Sequence, residues 1–196
     1  PLTGKPLEYL DITGNHVTSI DALANLPLRE LQCGWNEITD LEPLKGTALR
    51  RLDIRNNRIR DLSPLVGMPL EWLDCRNNEI ADFGPLHGMR LRVLRCGGNR
   101  PPPLAALTTP RLRELGCARS GLSDLWPLAG SKLVWLDCSG NLLTDLSPLA
   151  TVPLVTLNCT DNAVRSLRPL RHSAISELRC ARNRIRSLAP VRDMEL

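Results

Sequence analysis

Seven cysteines, three histidines and a recurring aspartate are the residues of this 196-residue chain that could do chemistry. Thiolates attack carbons or bind metals, imidazoles move protons, and carboxylates do acid–base work. Spacing decides which of these is open to them. Cys33, Cys75, Cys96, Cys117, Cys138, Cys159 and Cys180 never come within the two-to-four-residue interval of a metal knuckle. Their odd count and the length of the chain fit a disulfide framework poorly. His16, His87 and His172 are far apart in the chain. Asp40, Asp61, Asp82, Asp124 and Asp145 recur, but each stands just before a proline-containing turn, where a carboxylate caps backbone N–H groups. The phosphate-binding glycine loop, the zinc-protease helix motif, the nucleophile elbow and the dinucleotide fingerprint are all missing from the sequence. The expectation is a non-enzyme with no metal and no cofactor.

The elements that position these residues follow from one period. "LRRLDIRNNRIRDLSPLVGMP" (49–69), "LEWLDCRNNEIADFGPLHGMR" (70–90) and "LVWLDCSGNLLTDLSPLATVP" (133–153) are the same sentence rewritten. Leucine or isoleucine recurs at 7, 28, 49, 70, 91, 112, 133, 154 and 175. The nine 21-residue units of 7–195 contain no insertion or deletion, residues 1–6 are in phase with the end of a preceding unit, and Leu196 opens a tenth. A fixed period of this size marks a stacked array, here read as a single array over 1–196.

Numbering each unit 1 to 21, positions 3 to 7 alternate outward and inward, which is a short strand with one buried face. A constant period stacks these strands in parallel, about 4.8 Å apart, into a sheet roughly 40 Å long. Positions 1, 4, 6, 11, 14 and 17 point inward, with Pro101 the doubtful occupant. Position 9 is asparagine in every unit except at Ser120, suited to satisfying backbone groups where each strand ends. Ser63-Pro64 and Ser147-Pro148 read as a helix N-cap followed by proline at the first helical position. So few residues remain that the outer side must be one helical or 3₁₀ turn. All seven cysteines take position 6, where Ile12 and Ile54 stand in the other units. A residue that exchanges with isoleucine is packing, so a ladder of reduced, buried thiols is expected. Asn158-Cys159-Thr160 fits a glycosylation acceptor but lies on a strand with Cys159 inward, and is set aside.

This pattern resembles the leucine-rich repeat family, in its bacterial 21-residue form with strand cysteine, as in internalin-class arrays. The resemblance implies an α/β repeat solenoid: a right-handed curved array with a parallel β-sheet on the concave face and short 3₁₀ turns on the convex face. It also implies a concave face that binds a protein or peptide. The thiol ladder would suit the cytoplasm; an internalin-like array would be secreted or at the cell surface.

On the outward positions the units disagree. Tyr9, Trp72 and Trp135 occupy position 3 and Trp35 position 8, so four of six aromatics lie on or beside the strand face. Apolar rings where water should be are the informative feature, and tryptophan, tyrosine and arginine are the residues enriched in binding hot spots. The competing reading lays each ring flat on the sheet against a neighbouring arginine stem. The expected ligand surface comprises Arg51, Asp53, Arg55, Trp72, Asp74, Arg76, Arg95 and Trp135, with Trp35 and Tyr9 toward the acidic end. In the fifth unit, Gly97 and Gly98, continued by Gly116 and Ala118, suggest either a neutral variant or a shallow dip walled by Arg95.

Charge is uneven along the array. All but three of the 25 basic residues are arginine, and the net charge is +4. Glu8, Asp11, Asp21, Glu30, Glu37, Asp40 and Glu42 make the first two units acidic. Arg165, Arg168, Arg171, Arg182, Arg184 and Arg186 make the last two basic, which raises nucleic acid as an alternative partner, disfavoured because lysine is scarce and the aromatics lie elsewhere. A purely structural or designed scaffold is the third reading, against which the irregular fifth unit argues. No apolar run is long enough to span a membrane. Leu178, Cys180, Ile185 and Leu188 should be poorly covered, and an acidic end facing a basic one would favour end-to-end self-association.

Overall fold

The computed structural model describes residues 6–100, 104–107 and 111–192; Pro101, the opening residues 1–5 and Met194, Glu195 and Leu196 lie outside them. Among the described residues nine strands form one parallel sheet in chain order. They are β1 (Tyr9–Asp11), β2 (Glu30–Gln32), β3 (Arg51–Asp53), β4 (Trp72–Asp74), β5 (Val93–Arg95), β6 (Glu114–Gly116), β7 (Trp135–Asp137), β8 (Thr156–Asn158) and β9 (Glu177–Arg179). Every pairing keeps the 21-residue offset, as in Arg51 beside Trp72 and Trp72 beside Val93. The period read from the sequence is therefore the register of the sheet.

The regular strand is shorter than the alternation predicts, though the ladder runs on: the Cys33 and Trp35 N–H groups still donate to Asp53 and Arg55 carbonyls at 2.8 and 2.9 Å. It ends because position 8 turns left-handed. Gly14, Trp35, Asn56, Asn77, Gly98, Arg119, Gly140, Asp161 and Arg182 all have φ between 51° and 73°. The next residue repairs the break. The Asn57 side-chain amide donates to the carbonyls of Ile54 (3.1 Å) and of Cys33 one unit back (3.0 Å), and its Oδ1 accepts the Ile38 N–H at 2.9 Å. Asn36, Asn78, Asn141, Asn162 and Asn183 make the same reach across neighbouring units, so the expected asparagine ladder is present. At Ser120, Asn141 Oδ1 takes up the slack by accepting both the Ser120 and Leu122 N–H groups at 3.0 Å.

The outer side is built of 3₁₀ turns such as Ser63–Leu65 and Ser147–Leu149, with one α-turn at Leu104–Leu107. Their capping corrects the sequence reading. Ser63 and Ser147 are the first residues of their turns and not the caps. Asp61 Oδ1 accepts the Ser63 N–H at 2.8 Å, and Asp145 Oδ1 accepts the Ser147 N–H at 2.9 Å. A carboxylate two residues upstream reaches the orphan N–H groups of the first turn, which a serine inside the turn cannot. Asp40, Asp82 and Asp124 do the same, as expected for that position. Hydrogen bonds from Ser63 hold the Asp61 carboxyl below its ordinary range.

The core is a continuous column. Leu31, Leu52, Leu73, Leu115, Leu136 and Leu157 at position 4 are fully buried, as are Ile38, Ile59 and Ile80 at position 11. Phe83, the one aromatic expected inside, is also fully buried.

Candidate binding face

Position 6 hangs below the sheet. Cys33, Cys75, Cys96, Cys117, Cys138 and Cys159 are buried and Cys180 is half-buried, all with free thiols. Burial pushes the Cys33 and Cys159 thiols up to about 12, and those of Cys96, Cys117 and Cys138 well above their ordinary value. Cys33 Sγ lies 3.3 Å from the Asp53 carbonyl, a contact a thiol makes as a weak donor. This is core, as the exchange with isoleucine indicated. Among the described residues no group of three or more histidine, cysteine or acidic side chains could hold a metal ion, and no helix is long and apolar enough to cross a membrane.

On the open face the register brings the expected residues together. Position 3 reads Tyr9, Glu30, Arg51, Trp72, Val93, Glu114, Trp135 along neighbouring strands. Arg51 sits between Glu30, 3.1 Å from its Nε, and Trp72, whose ring centre is 3.6 Å from its guanidinium carbon. Arg95 lies over the Trp135 ring at 5.5 Å. Both indoles are partly buried, whereas Tyr9 and Trp35 are 52% and 58% exposed. Trp72 and Trp135 thus do both things that were weighed: they remain on the open face, and each carries an arginine. A stacked guanidinium has given up much of its rotamer freedom before any ligand arrives.

Positions 5 and 7 depart from expectation. Asp53 and Asp74 were read as outward and open, but they are 5% and 0% exposed. The side chains two residues on fold over them. Arg76 clamps Asp74 with Nε at 2.9 Å and Nη2 at 2.6 Å, and Arg55 comes within 4.0 Å of the same carboxylate. Asp53 accepts the Arg55 backbone N–H at 3.0 Å and faces the Arg55 Nε at 3.5 Å. Burial, reinforced by the Asp74 charge, raises the Asp53 carboxyl above its ordinary range against these bonds. The bond to Asp74 pushes the Arg76 guanidinium up in turn. Arg55 and Arg76 thus cover this part of the face, and the two aspartates lie beneath them, fixing where those guanidiniums point.

The bare strip in the fifth and sixth units is not an open dip. Gly97 and Gly116 are buried. A Cβ on Gly97 would stand 2.4 Å from the Ala118 carbonyl oxygen, so that glycine permits close approach of two backbones. A Cβ on Gly116 would meet the Arg95 stem at 3.5 Å and the Trp135 ring at 3.6 Å, so those side chains already lean over it.

Two features were missed from sequence. The left-handed position 8 was signalled by the glycines, asparagines and aspartate there, but Trp35 among them was read only as a surface ring. Cross-unit ion pairs were signalled by opposite charges 21 residues apart, as in Arg29–Glu8 at 3.4 Å and Arg50–Glu71 at 2.7 Å. Another such pair, Arg182 with Asp161, ties down part of the arginine-rich end, and Arg171 Nε donates to His172.

A family model, "Leucine Rich repeats (2 copies)", matches residues 28–67. The fold is that of a leucine-rich repeat array. Internalin C2 from Listeria monocytogenes is similar over 96% of this chain and 79% of its own, at 27% identity and a TM-score of 0.66. The functional domain of InlJ from Listeria monocytogenes, described as including a cysteine ladder, is similar over 97% of this chain and 52% of its own, at 21% identity and a TM-score of 0.63. The APL1 leucine-rich repeat domain aligns over 92% of this chain and 57% of its own, at 21% identity and a TM-score of 0.70. No curated protein matches the sequence. These likenesses carry the repeat fold.

Proposed function

We propose that this array is a non-catalytic module that grips a protein or peptide on its concave strand face, through Arg51, Trp72, Arg55, Arg76, Arg95 and Trp135, with Trp35 and Tyr9 extending the surface toward the acidic end. The observation that carries this reading is the pair of guanidinium–indole contacts, at 3.6 and 5.5 Å, whose two rings share one row of the sheet. An array selected only to fold gains little from indoles on its open side. Three strand spacings separate the two indoles, about 14 Å, which an extended peptide covers in about four residues. The rings would anchor the ligand; the flanking charges would set its register and association rate.

The test uses peptides selected against the immobilised chain. Trp72→Ala and Trp135→Ala should each weaken the selected peptides by more than about 1 kcal/mol if they are hot spots. Trp126→Ala, on an outer turn and 62% exposed, should leave them unchanged. Peptides that lose affinity with Trp126 and keep it without Trp72 and Trp135 would place the binding surface on the wrong side.

A further inference from the structure

We propose that Asp137 sets the specificity of the concave face: its carboxylate, beside the Trp135 indole, takes a cationic side chain, lysine or arginine, of the bound peptide, which rests on reading that face as a peptide-binding surface. Positions 5 and 7 differ between units. In the third and fourth units an aspartate at position 5 lies under an arginine at position 7. Asp53 faces Arg55 at 3.5 Å, and Asp74 holds Arg76 at 2.6 Å. The seventh unit keeps the aspartate, Asp137, and puts Ser139 where the arginine would be. With no guanidinium folded over it from position 7, Asp137 is half-buried and not sealed.

Ser139 fixes this carboxylate and leaves it open. The Ser139 N–H and hydroxyl both donate to Asp137 Oδ1, at 3.0 and 2.7 Å. Among the described residues no donor takes Oδ2, and no arginine or lysine comes within ion-pair distance. Arg95 is engaged elsewhere, with Glu114 at 4.0 Å and over the Trp135 ring at 5.5 Å. The Arg76 guanidinium is pushed up first by its bond to Asp74; the Asp137 charge, three units on, is the last of its causes. Strand β7 is paired on both sides, by β6 and β8, so Asp137 stands well inside the array. Asp11 has the same partner type, with the Thr13 N–H on its Oδ1 at 2.8 Å, but it is exposed in the first unit, where water screens its charge.

Charge along the face selects the ligand. Arg51 has Glu30 at 3.1 Å, Arg55 and Arg76 have the two buried aspartates, and Arg95 has Glu114. The central face reads as basic in the sequence, yet each of these guanidiniums is matched, and the charge left over is the negative one of Asp137. An ammonium or guanidinium would give the open Oδ2 a charged hydrogen bond, whereas an anion would be repelled. The apolar stem of a lysine or arginine has the Trp135 indole, two residues earlier on the same strand, to lie against. A carboxylate already held by Ser139 loses little freedom when the cation arrives. Trp72 lies three strands away, about 14 Å, so the cation stands about four extended residues from the ligand group on Trp72.

The experiment passes pooled peptides over the immobilised chain and measures retention. Each pool fixes a phenylalanine and places lysine, glutamine or glutamate four residues to either side, with all other positions random. The lysine pool should be retained about tenfold or more over the glutamine pool, the worth of one charged hydrogen bond, and the glutamate pool least. That order runs against the net charge of +4, so general electrostatic attraction does not produce it. Asp137→Asn, which keeps an oxygen for the Ser139 bonds, should bring the lysine pool down to the glutamine level. Asp137→Lys should make glutamate the preferred pool; should that second variant not fold, Asp137→Asn carries the test alone. Asp11→Asn should leave the order unchanged. Equal retention of the three pools, or a lysine preference that survives Asp137→Asn, overturns the proposal. If Trp72→Ala still lowers all pools in that case, the binding face stands without it. Pools held equally well by the Trp72→Ala chain, or not held at all, overturn the binding face and the proposal together.

Discussion

The fourth and ninth units carry the same apolar pattern and have different interiors. In residues 70–90, Leu73, Cys75, Ile80 and Phe83 are all fully buried. Their counterparts Leu178, Cys180 and Ile185 are only partly buried, and Leu188 is 64% exposed. The difference is not in the residues. Strand β4 is paired on both sides, by β3 and β5, whereas β9 pairs only with β8 among the described residues. Burial in an array is contributed by the neighbour, so identical side chains differ in worth along the stack. The poor cover expected at Leu178, Cys180, Ile185 and Leu188 is what the structure shows.

Thiol labelling puts the largest number on that contrast. Cys75, Cys96, Cys117 and Cys138 should react slower than Cys180 by on the order of a thousandfold, because they wait for local opening of a doubly covered unit. Their thiols are also harder to ionise, since burial raises each of them. Mass spectrometry after timed alkylation reads the sites. A Cys180 as slow as Cys96 would show that the ninth unit is covered in solution, and a mass deficit from disulfides would end the reduced-ladder reading.

The mutational version is smaller but direct. Leu73→Ala should cost about 3 kcal/mol, the usual charge for a cavity in a packed core. Leu178→Ala should cost about 1 kcal/mol or less, because the site already opens to solvent and can relax. Urea unfolding of both variants makes the comparison; equal losses would break it.

How much of this was legible in the sequence divides along the same line between interior and surface. The period, the parallel register, the inward positions and the asparagine and cysteine ladders were all readable, because a repeat states each interior requirement many times over. The faces of Asp53 and Asp74 were read correctly as pointing up from the sheet, yet their burial was not. It depends on Arg55 and Arg76 folding back over them, a choice of rotamer that alternation does not encode. Serine-proline was mistaken for a cap although Asp61 and Asp145 stood two residues upstream, since both residue types cap helices and only the turn's start distinguishes them. Trp72 and Trp135 could be placed on the open face; that each would carry Arg51 or Arg95 is a contact between units and needed the register in three dimensions.

Position 8 offers a test of the next size down. Left-handed backbone costs a residue with a Cβ roughly 1–2 kcal/mol, less for asparagine. Most units obey that preference, but Trp35 sits there with φ 57° and is 58% exposed. Trp35→Asn should therefore stabilise the array by about 1 kcal/mol or somewhat less, an unusual gain for removing a large apolar side chain. The same variant should weaken a concave-face ligand that reaches the acidic end. A loss of stability on unfolding in urea would show that the ring contributes packing that its exposure does not suggest.

The smallest effect separates middle from end by sign. Asp53 and Asp11 hold the same position in the third and first units. Burial raises the Asp53 carboxyl above its ordinary 3.8. The neighbouring Thr13, whose side chain lies beside the carboxylate and whose N–H donates to Asp11 Oδ1 at 2.8 Å, lowers that of Asp11 below the same value. For Asp53 the folded state holds its proton more tightly than the unfolded chain, so stability is lost as pH rises from the unfolded value through the folded one. The penalty is complete at neutral pH. Asp53→Asn should thus stabilise at pH 7 by no more than about 1 kcal/mol, with Arg55 still near Asp74, and the gain should fade as pH falls below the ordinary carboxylate value. For Asp11 the order is reversed: its contribution is present above the ordinary value and disappears as pH falls through the lowered one. Asp11→Asn should slightly destabilise at neutral pH and do nothing in acid. Urea midpoints of both variants from neutral pH into acid decide the matter. If the two differences have the same sign, covering by neighbouring arginines does not govern the carboxylates of this face.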